Sequence, residues 1–330
     1  MLGLELIMLA SLIGGILLLA VSGDFLVRGA VALSRALGIP ALVVGIFVVG
    51  LATSAPEIWV SLRAGLDGYP QMALGNIVGS NIANIWFVLA LPALIFPMRT
   101  GNKGQRSAIV WLLLITAGWI AVTAYQPLTP VIGGAMIGVL VIYAAWMLAA
   151  VRNAPHLEDA DLPQGMGAPL ALMLVILGGF GLPIGAHLAI EGGAALAEAA
   201  GFSQERIGLT ILAVGTSLPE LTAGIAAAVR RRSDILVGNI IGSNAFNILG
   251  AGAVVAFFNE QGEKVAATFI QYEHWAMGLA ALTAALFILP RQKISRLAAI
   301  VLLLLYVVYL YGLIDGWKFL SFVQGTGSIV

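Results

Sequence analysis

Glutamate is costly in a long apolar run, and this chain carries two in matching surroundings. Glu57 follows Thr53-Ser54-Ala55-Pro56, and Glu220 follows Thr216-Ser217-Leu218-Pro219, 163 residues later. An ionised carboxylate in hydrocarbon costs at least about 2.5–3.5 kcal/mol. It persists there when it faces a cavity, pairs with a base or binds a cation. No lysine or arginine is a convincing mid-span partner for either glutamate. A bound cation is the simplest way to satisfy both. The competing reading is a pair of protonated glutamates with a structural role.

The surrounding residues are oxygen donors. On a helix, Thr53 and Ser54 share a face with Glu57, being four and three residues before it. Thr216 and Ser217 stand the same way to Glu220. Asn76, Ser80 and Asn84 are spaced by four and line one stripe, as do Asn239, Ser243 and Asn247. Carboxylates, hydroxyls and amide carbonyls are hard ligands that suit Ca2+. Thiolate and imidazole, which softer metals prefer, are scarce: there is no cysteine, and His156, His187 and His274 form no ligand pattern. Two carboxylates neutralise one divalent ion. Pro56 and Pro219 cannot donate to the carbonyls of Ala52 and Gly215. Both helices are therefore expected to kink there, freeing carbonyls to act as ligands, as in the broken helices of transporters.

The elements that must position these groups span a membrane. The chain has 330 residues, 60% hydrophobic and only 10% charged, against about 25% charged in soluble domains. Ten segments reach the roughly 20 apolar residues that a spanning helix needs: 3–22 (running on toward 37), 40–66, 71–97, 106–125, 129–151, 168–199, 204–229, 234–258, 266–289 and 294–313. The N-terminal run lacks a basic leader and carries Glu5, so it reads as a retained first helix. With the N-terminus outside, the cytoplasmic loops hold Arg35, Arg99, Lys103, Arg106, Arg152, Arg230, Arg231, Arg232, Arg291, Lys293 and Arg296. The outer loops and tail hold only Arg63, Arg206, Lys264 and Lys318. That bias predicts an inner-membrane protein with both termini outside the cytoplasm. Zero net charge predicts no nucleic-acid partner; the expected partners are small inorganic cations and membrane lipid.

The two motifs belong to a longer repeat. Gly75-Asn76-Ile77-Val78-Gly79-Ser80-Asn81-Ile82-Ala83-Asn84-Ile85 returns at Gly238–Ile248, again offset by 163, with 8 of 11 positions identical. Five spans separate the copies, so the second enters the membrane the opposite way up. The fold class expected is all-α integral membrane: ten transmembrane helices as two inverted five-helix repeats. Residues 1–151 form the first repeat, 152–167 a cytoplasmic linker and 168–330 the second. Inverted repeats mark secondary transporters, with their sites at the repeat interface near mid-membrane.

Other features read as structural. Gly75, Gly79, Gly238 and Gly242 form small-xxx-small pairs for close helix packing, and Asn81 and Asn244 are interhelical glue. Asp24 and Arg28 make a local pair, whose repeat equivalents are His187 and Glu191; a gating role stays open for both. The acidic residues of the linker are solvated loop. Enzyme motifs are missing: Gly215-Thr216-Ser217 does not continue as a nucleophile elbow, and there is no H-E-x-x-H.

At the duplicated motifs the sequence resembles the Ca2+/cation antiporter superfamily, particularly its prokaryotic Na+/Ca2+ exchanger branch. The resemblance implies a binding diamond on spans two, three, seven and eight. Its ligands by position are Thr53, Ser54, Glu57, Ser80 and Asn84, with Thr216, Ser217, Glu220, Ser243 and Asn247, and the backbone carbonyls of Gly50 and Ala213. It implies no cofactor, with Ca2+ and Na+ as transported ions, and a sliding pair made of spans one and six. Ala52 stands where the family motif usually has glycine, which would stiffen that kink. Asn247 replaces an aspartate found in K+-dependent relatives, which disfavours K+ cotransport. The Thr-Ser pair favours Na+ over H+ as the coupling ion. Coupling to H+ is the alternative; a channel or a non-transporting scaffold is a third reading.

Overall fold

The computed structural model describes residues 2–152, 166–201, 213–259, 272–315 and Trp317. The expected linker lies almost wholly outside these residues, as do His156, Arg206, Lys264, Lys318 and the first residues of the expected segments 204–229 and 266–289. Among the described residues, eight helices are long and apolar enough to cross a membrane, and two shorter ones are also apolar. In chain order they are α1 (Leu2–Leu37), α2 (Ala41–Leu66), α3 (Gln71–Ile95), α4 (Lys103–Tyr125), α5 (Pro130–Arg152), α6 (Ala168–Ala199), α7 (Leu218–Val229), α8 (Ser233–Phe258), α9 (His274–Ile288) and α10 (Arg296–Asp315). The short α7 and α9 are the segments whose starts fall outside the described residues.

Burial sorts the helices. In α3 and α8, 78% and 83% of the most apolar window is buried, against 22% in α1 and α5. The inner helices carry the asparagine stripes and the outer ones present apolar side chains outward, among them Ile7, Ile16, Leu17, Val131, Ile142 and Phe180. Apolar residues exposed in such numbers suit hydrocarbon rather than water.

At 1.5 Å per residue, α1 and α6 are about 54 and 48 Å long. Both exceed a ~30 Å hydrocarbon core, so they must tilt. They pack along each other through glycines. A methyl group on Gly15 would lie 2.4 Å from Ala189 N, and one on Gly178 2.5 Å from Leu26 N. On Gly29 it would meet Val175 N at 2.8 Å, and on Gly192, Leu12 N at 2.5 Å. Each such contact has its counterpart 163 residues away. The turns after α2 and α7 match as well: Gly68 and Arg231, at equivalent positions, both adopt left-handed φ, 79° and 55°.

One face of the bundle gathers the basic loops. Met98–Arg99 pairs antiparallel with Lys293–Ile294. Asn102 caps α4 in a reciprocal box with Gln105, which satisfies helix-end donors. Both side chains also donate to Asp234 Oδ1, at 2.7 and 2.9 Å. At the other end of α8, Asn259 Nδ2 donates to Leu128 O.

Candidate cation site

The duplicated motifs converge in the centre of the bundle. Glu57 and Glu220 are 1% and 0% exposed, and Ser54, three residues before Glu57, has its hydroxyl against Glu220. Thr53, Ser54, Ser80, Asn84, Ser217, Ser243 and Asn247 are also buried, whereas Thr216 is only partly so. Among the described residues, no basic side chain forms an ion pair with either glutamate.

The α2–α8 side is tightly bonded. The Thr53 hydroxyl donates to Asn239 Oδ1 at 3.0 Å, and the Ser243 hydroxyl donates to Gly50 O at 3.3 Å, with the two hydroxyl oxygens 3.1 Å apart. Gly50 permits this approach: a methyl group there would lie 3.0 Å from Gly242 and Ser243 backbone atoms. Ser54 Oγ reaches Glu220 Oε1 across the repeats, at a long 3.5 Å.

Each glutamate is held by an asparagine of the following helix. Asn76 Nδ2 donates to Glu57 O at 3.0 Å, and Asn239 Nδ2 donates to Glu220 O at 3.4 Å. Sequence reasoning put both asparagines on a stripe but missed this clamping. Their duplication 19 residues after each glutamate was the available signal. Asn244 meets its expectation as interhelical glue, accepting from Asn84 Nδ2 at 2.9 Å and donating to Asn81 O at 3.3 Å. Asn81 does not: its amide turns back to Ile77 O of its own helix, at 2.7 Å.

Five buried oxygens of the expected ligand set have no hydrogen-bond partner: Glu57 Oε2, Glu220 Oε2, Asn84 Oδ1, Asn247 Oδ1 and Ser217 Oγ. Leaving a buried polar group unsatisfied costs about 1–3 kcal/mol, more if charged. Five such oxygens, two of them carboxylate, make an oxygen-rich centre with acceptors to spare. That chemistry fits a hard cation. Among the described residues there is no cluster of three or more acidic, histidine or cysteine side chains, so neutral oxygens must complete any cage. A shallow cavity of about 460 Å³ lined by Lys103, Arg106, Trp111 and Trp146 shares no residue with this centre.

The backbone around the two prolines differs between the copies. Helix Gly50–Leu66 runs unbroken through Pro56. In the second copy the helix stops after Ala213–Gly215, turns at Thr216 and Ser217, and restarts at Leu218 with Pro219 in its first turn. Proline is at home in a first turn, where its missing N–H would have no partner anyway. Ala213, expected as a carbonyl ligand, begins the short turn before that break. The unexpected irregularity is π-helical backbone, which among the described residues includes Gly45–Val49, directly before Gly50, and Asn84–Val88 and Asn247–Ala251, these two each beginning at an expected ligand. Such turns often mark functional sites, and no sequence pattern announces them.

The small-xxx-small reading holds for α8. A methyl group on Gly238 would lie 2.6 Å from Leu42 O, and one on Gly242 2.2 Å from Ile46 O. It fails for Gly79, where the nearest atom is Tyr309 Oη at 3.9 Å.

A helical bundle with paired carboxylates in an intramembrane oxygen centre defines the class of protein: a membrane cation carrier. The family model described as sodium/calcium exchanger protein matches residues 7–149 and 170–314, segments whose starts are 163 residues apart. The chain belongs to that family, whose members are secondary transporters and not enzymes. It is 33% identical to the putative antiporter CaxA of Alkalimonas amylolytica, over 90% of this chain and 95% of that one. It is 36% identical to the inner membrane protein YrbG of Escherichia coli, over 73% and 76%. Among solved structures it is similar to the sodium-calcium exchanger NCX_Mj soaked with 10 mM Na+ and zero Ca2+. That match has a TM-score of 0.82 and 30% identity, and covers 94% of this chain and 99% of the other.

Proposed function

We propose that this chain exchanges Ca2+ for Na+ across the cell's inner membrane by alternating access, with Glu57 and Glu220 as the shared ligands. The observation that carries this reading is the burial of two carboxylates from equivalent positions, each with an unbonded oxygen, with Ser54 of the first motif reaching Glu220 of the second. Ca2+ or Na+ ions neutralise the pair in turn. The empty, doubly charged centre resists reorientation, because moving uncompensated charge through hydrocarbon is costly. That penalty couples the two fluxes.

The proposed cage adds Thr53, Ser54, Ser80, Asn84, Thr216, Ser217, Ser243 and Asn247, with the carbonyls of Gly50 and Ala213. The proposed architecture is two inverted five-helix repeats, 1–151 and 168–330, joined by a cytoplasmic linker at 152–167, with both termini outside and lipid around the outer helices. The matched glycine contacts and turns 163 residues apart support the repeat. The clustering of basic loops on one face supports the orientation. The thiol-free, hydroxyl-rich cage and the Thr-Ser pairs support Na+ as the coupling ion.

The test is flux in proteoliposomes. An outward Na+ gradient should drive 45Ca2+ uptake by the intact chain, and Glu57→Gln or Glu220→Gln should each abolish it. A pH gradient in Na+-free buffer should drive none. Wild-type uptake in both glutamine variants would end this reading, and uptake driven by protons alone would replace Na+ with H+.

A further inference from the structure

Asp24 lies on α1 and pairs well beyond its own turn. Its Oδ1 accepts from Arg230 Nε at 2.9 Å, with Arg230 Nη2 against the same oxygen. Arg28 Nη1 stands 3.6 Å from its other oxygen. The sequence expected only the Asp24–Arg28 pair. Arg230 ends α7, the helix that carries Glu220, so this ion pair joins the long α1–α6 element to the helices of the cation site.

The 163-residue offset carries Asp24 to His187 and Arg230 back to Asp67. The correspondence is spatial too. It relates the glycine contacts of α1 and α6, and it relates the turns that follow Asp67 and Arg230, where Tyr69 N donates to Ala64 O and Arg232 N to Ala227 O, both at 2.8 Å. The acid on α1 facing a base on α7 therefore has a counterpart: a base on α6 and an acid on α2, with the charges exchanged. In this structure the counterpart is not made. His187 turns to Glu191 at 3.2 Å and Asp67 to Arg63 at 3.6 Å, on side chains that are 50–68% exposed.

When two halves are the same unit inserted in opposite directions, exchanging their conformations moves the opening from one membrane face to the other. A contact made between α1 and α7 in one facing is then made between α6 and α2 in the other. We infer that Asp24–Arg230 and His187–Asp67 are reciprocal latches. The first closes the basic-loop face in this structure. The second closes the opposite face in the alternate facing, after His187 leaves Glu191 and Asp67 leaves Arg63. The burial around the site agrees: Thr216 and Asn76, both toward the end away from Arg230, are partly exposed. The four residues touch no transported ion. They are positioning residues that set which face is open, and the inference rests on the exchange cycle proposed above.

The chain has no cysteine, so thiol crosslinking reads each latch without background. Two full-length double variants in proteoliposomes, Asp24→Cys with Arg230→Cys and His187→Cys with Asp67→Cys, are treated with a short cleavable bifunctional thiol reagent in Na+ alone, Ca2+ alone or neither. Both pairs should crosslink, with yields that move in opposite directions across the three conditions. Each crosslink should stop exchange, and cleavage should restore it. A second pair that never crosslinks in a variant that still exchanges ions overturns the latch, as do two yields that rise together. If a cysteine variant fails to fold, the charge swap decides. With a reporter cysteine at buried Ala228 (Ala228→Cys), two residues before Arg230, Asp24→Asn should raise thiol labelling several-fold, and Asp24→Arg with Arg230→Asp should return it to the level of the reporter alone; no shift, or no rescue, refutes the pairing. Absence of exchange in the intact chain sinks the transport reading instead, and the reciprocity of the crosslinks is still scored.

Discussion

On the α2–α8 side of the site, Thr53 is fully buried and bonded to Asn239, and Gly238 and Gly242 lie against the backbone of α2. On the α7–α3 side the same residue types are looser. Thr216 and Asn76 are partly exposed, and Gly79 has room for a side chain. Asn84 bonds to Asn244, but the equivalent bond from Asn247 to Asn81 is missing, and both atoms that would make it are unpaired. One motif thus occupies a closed environment and an open one. For the inverted repeat proposed above, that asymmetry is what a single facing of the carrier looks like: one half clamped, the other giving access.

The two sides should differ most at their glycines. Gly242→Ala drives a methyl group into the Ile46 carbonyl and should destabilise the protein by about 3 kcal/mol or more, at the upper end for overpacking. Gly79→Ala should change stability by less than about 0.5 kcal/mol. Unfolding in mixed detergent measures both, and equal effects would erase the proposed difference between halves. The asparagine clamps come next. Asn239→Ala removes bonds to Glu220 O and Thr53 in a dry setting and should cost about 1–3 kcal/mol, whereas Asn76→Ala, at a partly exposed position, should cost about 1 kcal/mol. The smallest effect is kinetic. In this cysteine-free chain, Thr216→Cys should react with a water-soluble thiol reagent several-fold faster than Thr53→Cys, and the reverse order would mean that the opposite side is the open one.

Much of this was legible beforehand because it is local. Apolar run length marks helices, and carboxylates in such runs point to the cation site proposed here. A repeat at constant offset put Glu57 and Glu220 at equivalent places. The unread features depend on neighbours distant in sequence. Pro56 sits in a continuous helix and Pro219 follows a break, although their motifs differ by one residue. Asp24 had a ready partner in Arg28, and only the fold brings Arg230 to it from 206 positions away. The π-helical turns at Asn84 and Asn247 follow from packing in the core, not from a side-chain signature.

Residue type and spacing account for the materials: membrane helices, a doubled motif, two carboxylates and a set of hard oxygen donors. The tertiary structure alone decided which copy is clamped and which is open. Identical local sequences cannot choose between inequivalent surroundings; the packing of α8 against α2, and the pairing of α1 with the end of α7, makes that choice.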